Sequence, residues 1–171
     1  MSTDFRPLSI AVLTVSDSRT RDTDRSGDLL ESMASEDGHH IVRREIVSDD
    51  RRLLEAKFRE WISDEGVEVV LSTGGTGVTG RDVTPEALRA VVEKEIPGFG
   101  ELFRWQSFAK IGTSTIQSRA LAGVAQGTYL FALPGSPGAC RDAWEGILRE
   151  QLDVRHRPCN FAELIPRLRE R

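Results

Sequence analysis

Between Ser72 and Asp82 the chain reads Ser-Thr-Gly-Gly-Thr-Gly-Val-Thr-Gly-Arg-Asp, so that Gly74, Gly75, Gly77 and Gly80 fall within one short loop directly after an apolar run. Glycines spaced in this way accept positive φ and let backbone N–H groups approach an anion with no Cβ between them. With Thr76 and Asp82 interleaved, the expected chemistry is phosphate binding. The alternative is a tight crossover that needs glycine only for its path. Gly75, Gly77 and Gly80 also satisfy the dinucleotide pattern G-x-G-x-x-G. That pattern is weak alone, and here it follows the third strand rather than opening a domain. The stretch from Gly75 to Gly80 has the outline of a Walker A loop, yet Arg81 and Asp82 stand where Lys and Ser/Thr are required. Neither a nicotinamide site nor a P-loop is expected.

Asp82 ends the loop just before Thr84-Pro85, where a carboxylate can hold magnesium against bound phosphate or simply favour a helix start. Asp49 and Asp50 follow another strand and precede another helix, and capping is their ordinary role. Two more loops have suitable composition, Ser16-Asp17-Ser18 and Pro134-Gly135-Ser136-Pro137-Gly138. Ser16, Ser107, Ser118 and Ser136 are hydrogen-bond donors without a triad partner. His39 and His40 lie at a strand entry and His156 in the tail, which disfavours acyl transfer. Cys140 and Cys159 show neither zinc-ligand spacing nor a disulfide framework, and both are expected to be buried or idle thiols.

These loops need a scaffold that gathers them. Leu8 to Val15 is β-branched and almost wholly apolar, as in a strand covered on both faces. Ser26 is a candidate cap for a helix with Leu29, Leu30, Met33 and Ala34 on one face and Gly38 as its stop. Ile41 to Val47 suggests a strand, and Leu53, Leu54, Phe58, Trp61 and Ile62 a helical stripe ending near Gly66. Val67 to Leu71 gives a third strand. Thr84 and Pro85 fit the N-cap and first position of a helix carrying Leu88, Val91 and Val92, with Pro97-Gly98 ending it. A helix through Phe99, Leu102 and Phe103 is expected next, and Ile111 to Gly123 shows no clear pattern. Tyr129 to Leu133 is a strand, followed by a long helix marked by Ala139, Cys140, Ala143, Trp144, Ile147 and Leu148. Such alternation implies α/β architecture with a mostly parallel sheet between helices, and ligands beyond the carboxyl ends of its strands.

At 171 residues, one domain is expected, and 23 basic against 27 acidic side chains leave no basic stripe for nucleic acid. No apolar stretch approaches the roughly twenty residues that span a bilayer. Met1 to Pro7 lacks a signal-peptide pattern, so a cytoplasmic protein is expected.

Gly74-Gly75-Thr76-Gly77, then Arg81-Asp82-Val83-Thr84-Pro85-Glu86, then Pro97-Gly98-Phe99-Gly100 resemble, in order and spacing, the MoaB and MogA family of molybdenum cofactor proteins. The resemblance reaches back to Ser16-Asp17 and on through Ser118-Arg119 and Pro134-Gly135-Ser136-Pro137, covering about Leu8 to Leu152. Arg157-Pro158-Cys159-Asn160-Phe161 is similar to the MoaB branch. Val78-Thr79-Gly80 departs from a more basic stretch of some MogA-like proteins. The resemblance implies a three-layer α/β/α fold over residues 1–152, with residues 153–171 a tail packed on the same domain or a neighbouring subunit. It implies a homotrimer or homohexamer that binds molybdopterin and adenylylates its terminal phosphate with ATP and magnesium (Mg2+). It leaves open a pterin-binding or assembly protein without turnover. Carried over, Asp49 and Asp82 would be the catalytic and metal-holding acids. Ser16, Asp17, Gly74, Gly75, Thr76, Gly77, Ser107, Ser118, Pro134, Gly135, Ser136 and Pro137 would contact the ligand.

Overall fold

A computed structural model describes residues 4–170. Met1 to Thr3 of the N-terminal reading, and Arg171 of the tail, lie outside the described residues. The first strand is β1 (Ser9–Val15), whose residues Ile10 to Leu13 are wholly buried. β1 pairs in parallel with β2 (His40–Val47) on one side and β3 (Val69–Thr73) on the other, and β3 pairs in parallel with β6 (Thr128–Leu133). β5 (Leu121–Ala125) and the short β4 (Lys94–Glu95) complete the order β2-β1-β3-β6-β5-β4 with antiparallel pairings. The sheet is mixed and mostly parallel.

Because successive strand side chains point to opposite faces, the apolar strands build two cores. Ile10, Val12, Val69, Leu71, Tyr129 and Phe131 face α1 (Arg25–Glu36) and the helix that follows β6. Ala11, Leu13, Val70, Leu130 and Ala132 face α2 (Arg51–Ile62) and α3 (Thr84–Arg89). This is the expected α/β/α sandwich. The post-β6 helix runs as α5 (Pro137–Ala143), a π-helical turn at Trp144–Leu148, and α6 (Arg149–Gln151). The Gln106 amide donates to the Asp142 carbonyl at 2.8 Å just before that turn, an insertion of the kind that interrupts a helical ladder.

Several local expectations are corrected. Asp24, not Ser26, caps α1, accepting from the Gly27 N–H at 3.0 Å, while the Ser26 hydroxyl donates to Gly135 O at 2.8 Å. β3 starts two residues later than expected, since Val67 N is tied into a turn with Asp64 O. Val83 caps α3, which stops at Arg89, and Val91 and Val92 pack on the core beyond it. Pro97-Gly98 opens α4 (Pro97–Ile111) rather than ending a helix, consistent with proline's preference for the first turn. The unpatterned stretch holds a short 3-10 helix, Gly112–Gln117, and β5. The tail through Glu170 packs on the same domain: α7 (Phe161–Leu164) stacks Phe161 on Tyr129 at 4.9 Å, and Arg169 Nε donates to Gln126 O at 3.0 Å. No helix among the described residues is long and apolar enough to cross a membrane.

Candidate ligand-binding cleft

The loops after β1, β2, β3 and β6 open on one edge of the sheet, because those strands are parallel. They and the start of α1 bound a cleft of about 650 Å³ whose lining includes Ser16, Asp24, Asp49, Gly74, Gly75 and Gly135. Gly74 and Gly75 form a wall without side chains, at φ of +104° and +66°. A Cβ at Gly74 would lie 2.3 Å from the Val15 carbonyl oxygen, and one at Gly75 would lie 2.4 Å from Thr84 Oγ1 and 3.1 Å from Asp49 Oδ1. Thr84 ties this wall down, its hydroxyl donating to Gly74 O at 2.8 Å and its N–H to Gly75 O at 3.1 Å.

The rest of the glycine loop is shaped by Arg119. Its backbone N–H donates to Thr76 O at 2.9 Å, Nε to Gly77 O at 2.7 Å and Nη2 to Asp82 O at 2.8 Å, while Nη1 pairs with Glu86. Within the loop, Asp82 Oδ2 accepts from the Thr79 N–H at 2.8 Å and its hydroxyl at 2.7 Å. Burial works to raise the Asp82 pKa, but the Thr79 and Gly77 hydrogen bonds and the charge of Arg119 outweigh it and hold the carboxyl below its ordinary value.

Asp49 is set differently. Its Oδ2 accepts from Asp17 N at 3.1 Å, and Asp17 Oδ1 accepts from Asp49 N at 3.1 Å, so two loops are cross-stitched by reciprocal side-chain bonds. Asp49 Oδ1 accepts no hydrogen bond from the described residues. Burial, then the charge of Asp17, raises the Asp49 pKa, with Asp82 adding to the rise and the Asp17 N–H and Arg81 opposing it. Arg81 sits on the outer oxygen of Asp17, with Nη2 at 2.5 Å and Nε at 3.1 Å, and this hydrogen-bonded pairing lowers the Asp17 pKa.

Residues 11–154 match the family model described as "Probable molybdopterin binding domain". Molybdenum cofactor biosynthesis protein B of Escherichia coli K12 is 53% identical over 161 residues, covering 94% of this chain and 95% of that protein. The chain belongs to the MoaB/MogA family of molybdenum cofactor biosynthesis proteins. A crystal structure of a molybdenum cofactor biosynthesis protein B superposes with a TM-score of 0.87 at 38% identity, over 97% of this chain and 98% of that one. The tungsten cofactor synthesizing protein MoaB of Pyrococcus furiosus gives a TM-score of 0.79 at 34% identity, over 96% of this chain and 99% of that one.

Within this MoaB/MogA chain the residues singled out in the sequence fall into three groups. Ser16, Asp49, Gly74, Gly75, Gly135 and Pro137 line the large cleft. Ser107, Ser118, Pro134 and Ser136 line a second, more apolar one of about 300 Å³ beside Phe103 and Ile111. Asp17, Thr76, Gly77 and Asp82 line neither and act, in this structure, through the loops they brace. Among the described residues no group of three His, Cys, Asp or Glu is spaced to hold a metal ion. Cys140 is buried against Thr73 at 3.2 Å, with burial pushing its thiol up to about 11, whereas Cys159 is exposed, and both are free thiols.

Sequence reasoning missed the floor of the large cleft. Asp24 is 2% exposed and accepts from the Thr14 hydroxyl at 2.5 Å, while its carboxylate pairs with Arg44. Burial raises its pKa, but Thr14, Gly27 and Arg44 together bring it below the ordinary value. Gly27 is required here, since a Cβ at that position would lie 2.0 Å from Arg44 Nη2. The one local signal was Asp24 three residues before Gly27, a cap pattern that Ser26 masked. Arg119, whose bonds to Gly77 and Asp82 join distant parts of the chain, is the other residue missed, and it carries no local signal.

Proposed function

We propose that this chain binds molybdopterin and transfers an adenylyl group from ATP to its terminal phosphate. The observation that carries the proposal is the meeting, on one cleft, of the Gly74-Gly75 wall and the open Oδ1 of Asp49. A wall without side chains lets a phosphate approach the backbone at close range, even though Gly74 N–H is itself bonded to Leu133 O, and a hard carboxylate oxygen beside it suits a divalent cation. The donor set fits magnesium, which takes one or two carboxylates and completes its shell with phosphate oxygens and water. Asp49 and Asp82 would hold the ion, and when bound it supplies neutralisation of charge between nucleophile and triphosphate.

In the reaction an oxygen of the pterin phosphate attacks the α-phosphorus of ATP in line. The new P–O bond forms as the bond to the β-phosphate oxygen breaks, and pyrophosphate departs. The nucleophile is already an oxyanion near neutral pH, so no histidine base is required. This chain's part is to hold the two phosphates in line, with Gly74 and Gly75 admitting close approach and Ser16 within reach as a donor. The smaller cleft, with Phe103, Ile111 and Pro134 as apolar walls and Ser107 and Ser118 as polar contacts, has the character for the pterin ring.

The proposal includes a homotrimer or homohexamer. Leu102, Trp105, Phe108 and Ile111 on α4, with Ile116 beyond it, leave large apolar side chains exposed, Trp105 at 76%. Apolar surface of this extent on one element is covered in stable assemblies.

The test mixes the full chain with molybdopterin, ATP and magnesium and follows adenylylated pterin and pyrophosphate. Turnover is expected, lowered by on the order of 100-fold or more in Asp49→Asn and in Asp82→Asn. Tight pterin binding without turnover in the unaltered chain would leave a binding protein instead. Light scattering on the same sample reads the assembly, and a species of 19.0 kDa would overturn self-association.

A further inference from the structure

The geometry points to Arg81 as an exchangeable cation, paired with Asp17 in this structure and transferred to polyphosphate oxygens when a divalent cation arrives at Asp49. The inference rests on the magnesium-dependent reading above and deepens it. Four observations support it. Arg81 places both Nη2 and Nε on the single oxygen Asp17 Oδ2, while the other oxygen, Oδ1, is occupied by Asp49 N. The Arg81 side chain is 67% exposed, with no other hydrogen-bonded acceptor among the described residues, so letting go breaks two hydrogen bonds to a single exposed oxygen and leaves nothing buried behind it. It stands on the outer part of the glycine loop, where a Cβ at Gly80 would meet nothing within 4 Å. Finally, Arg81 lies in the field of three carboxylates, Asp17, Asp49 and Asp50, and Asp49 keeps one oxygen without a protein donor.

The charges dictate the exchange. A guanidinium and a divalent cation compete for the same acidic group of side chains, and like charges a few ångströms apart repel. A cation at Asp49 therefore loosens Arg81 from Asp17. A freed guanidinium, whose fork of N–H donors matches phosphate oxygens, then pairs with the incoming anion. Cation and polyphosphate binding become cooperative through one side chain, without movement of the sheet or helices. Arg81 is thus a positioning and recognition residue. It also answers for the phosphate lysine that the loop lacks.

The experiment titrates the full chain with Mn2+ alone, read by paramagnetic resonance, and with inorganic pyrophosphate in saturating Mn2+, read by calorimetry. In Arg81→Gln, Mn2+ alone is expected to bind several-fold tighter, about 3- to 10-fold, because its competitor is gone. Pyrophosphate is expected to bind about 10-fold or more weakly. Arg81→Lys keeps the charge without the fork and is expected to fall between. Opposite signs from one exposed substitution are not produced by loss of structure. Unchanged or weaker Mn2+ binding in Arg81→Gln, or unchanged pyrophosphate binding, overturns the exchange while the wider reading stands. Failure of the unaltered chain to bind Mn2+ or pyrophosphate overturns both.

Discussion

The two halves of the glycine-rich loop are made of similar residues and behave as opposites. Gly74 and Gly75 are clamped between β1, β6 and α3, with Gly74 N bonded to Leu133 O at 3.0 Å and both carbonyls taken by Thr84. Val78 to Arg81 stand in solvent, held to the body by Arg119 through Gly77 and Asp82 and by Arg81 on Asp17. The inner half is a fixed wall that admits close approach, whereas the outer half is an arm that carries a charge. Fixing the wall removes the entropy cost of forming it around a ligand, and in the exchange proposed above an exposed arm lets a charge change partners without disturbing packed structure.

The sharpest way to break this contrast is Gly74→Ala. A φ of +104° is strained for any side chain, and the methyl group would sit 2.3 Å from the Val15 carbonyl oxygen, a backbone atom that cannot turn aside. Strain and overpacking together are expected to cost roughly 3 kcal/mol or more. Urea denaturation reads the loss. A cost below about 1 kcal/mol would mean that the inner half yields, and that the wall is no more fixed than the arm.

Asp82 and Asp49 sharpen the contrast by their opposite pH dependence. Asp82, held below its unfolded pKa by Thr79, Gly77 and Arg119 despite burial, contributes stability that is present above the ordinary value of 3.8 and lost as pH falls through the lower folded pKa. Asp49, raised by burial and by Asp17, does the reverse: its favourable contribution is present below 3.8 and lost as pH rises through the higher folded pKa. At pH 7, Asp82→Asn is therefore expected to destabilise by about 1 kcal/mol, discounted for its partial exposure, and Asp49→Asn to be neutral or stabilising. Both differences should shrink as the pH is taken towards 3. Denaturation curves at the two pH values decide it, and equal losses in both variants would show that the carboxylates are equivalent. A native acid that costs stability when ionised is one retained for another task, which is the expectation for a cation-holding Asp49.

The elements were legible where hydrophobic period and length agreed. Leu8 to Val15 and the stripe from Leu53 to Ile62 announced a buried strand and a one-sided helix, and both form. β5 was not legible because Leu-Ala-Gly-Val-Ala is short and mostly small, and Gly123 is there so that Val92 and Lys94 can approach, with a Cβ falling 2.6 Å from Val92 Cγ1. Pro97-Gly98 was ambiguous, since proline both ends one helix and begins another. At the cleft, the glycines and Asp49 were visible as local composition. Arg119 on Gly77 and Arg44 on Asp24 were not, because those pairs lie 42 and 20 residues apart and only the folded sheet joins them.

The smallest expected effect tests the arm. Gly80 shares a loop with Gly74, but its φ lies outside the left-handed range and a Cβ there would meet no atom within 4 Å. Nothing in the folded chain demands glycine at this position, so Gly80→Ala acts mainly on the unfolded chain, where alanine has fewer conformations to lose. The substitution is expected to stabilise by about 0.4–1 kcal/mol, or roughly 1–4 °C in Tm for a chain of this size. Calorimetric melting measures it against Gly74→Ala, and the two glycine-to-alanine changes should carry opposite signs. A fall in Tm at Gly80 would mean that the outer half is packed in solution, by a partner subunit or by the loop itself. An arm so held would not be free to move Arg81 from Asp17 to a phosphate.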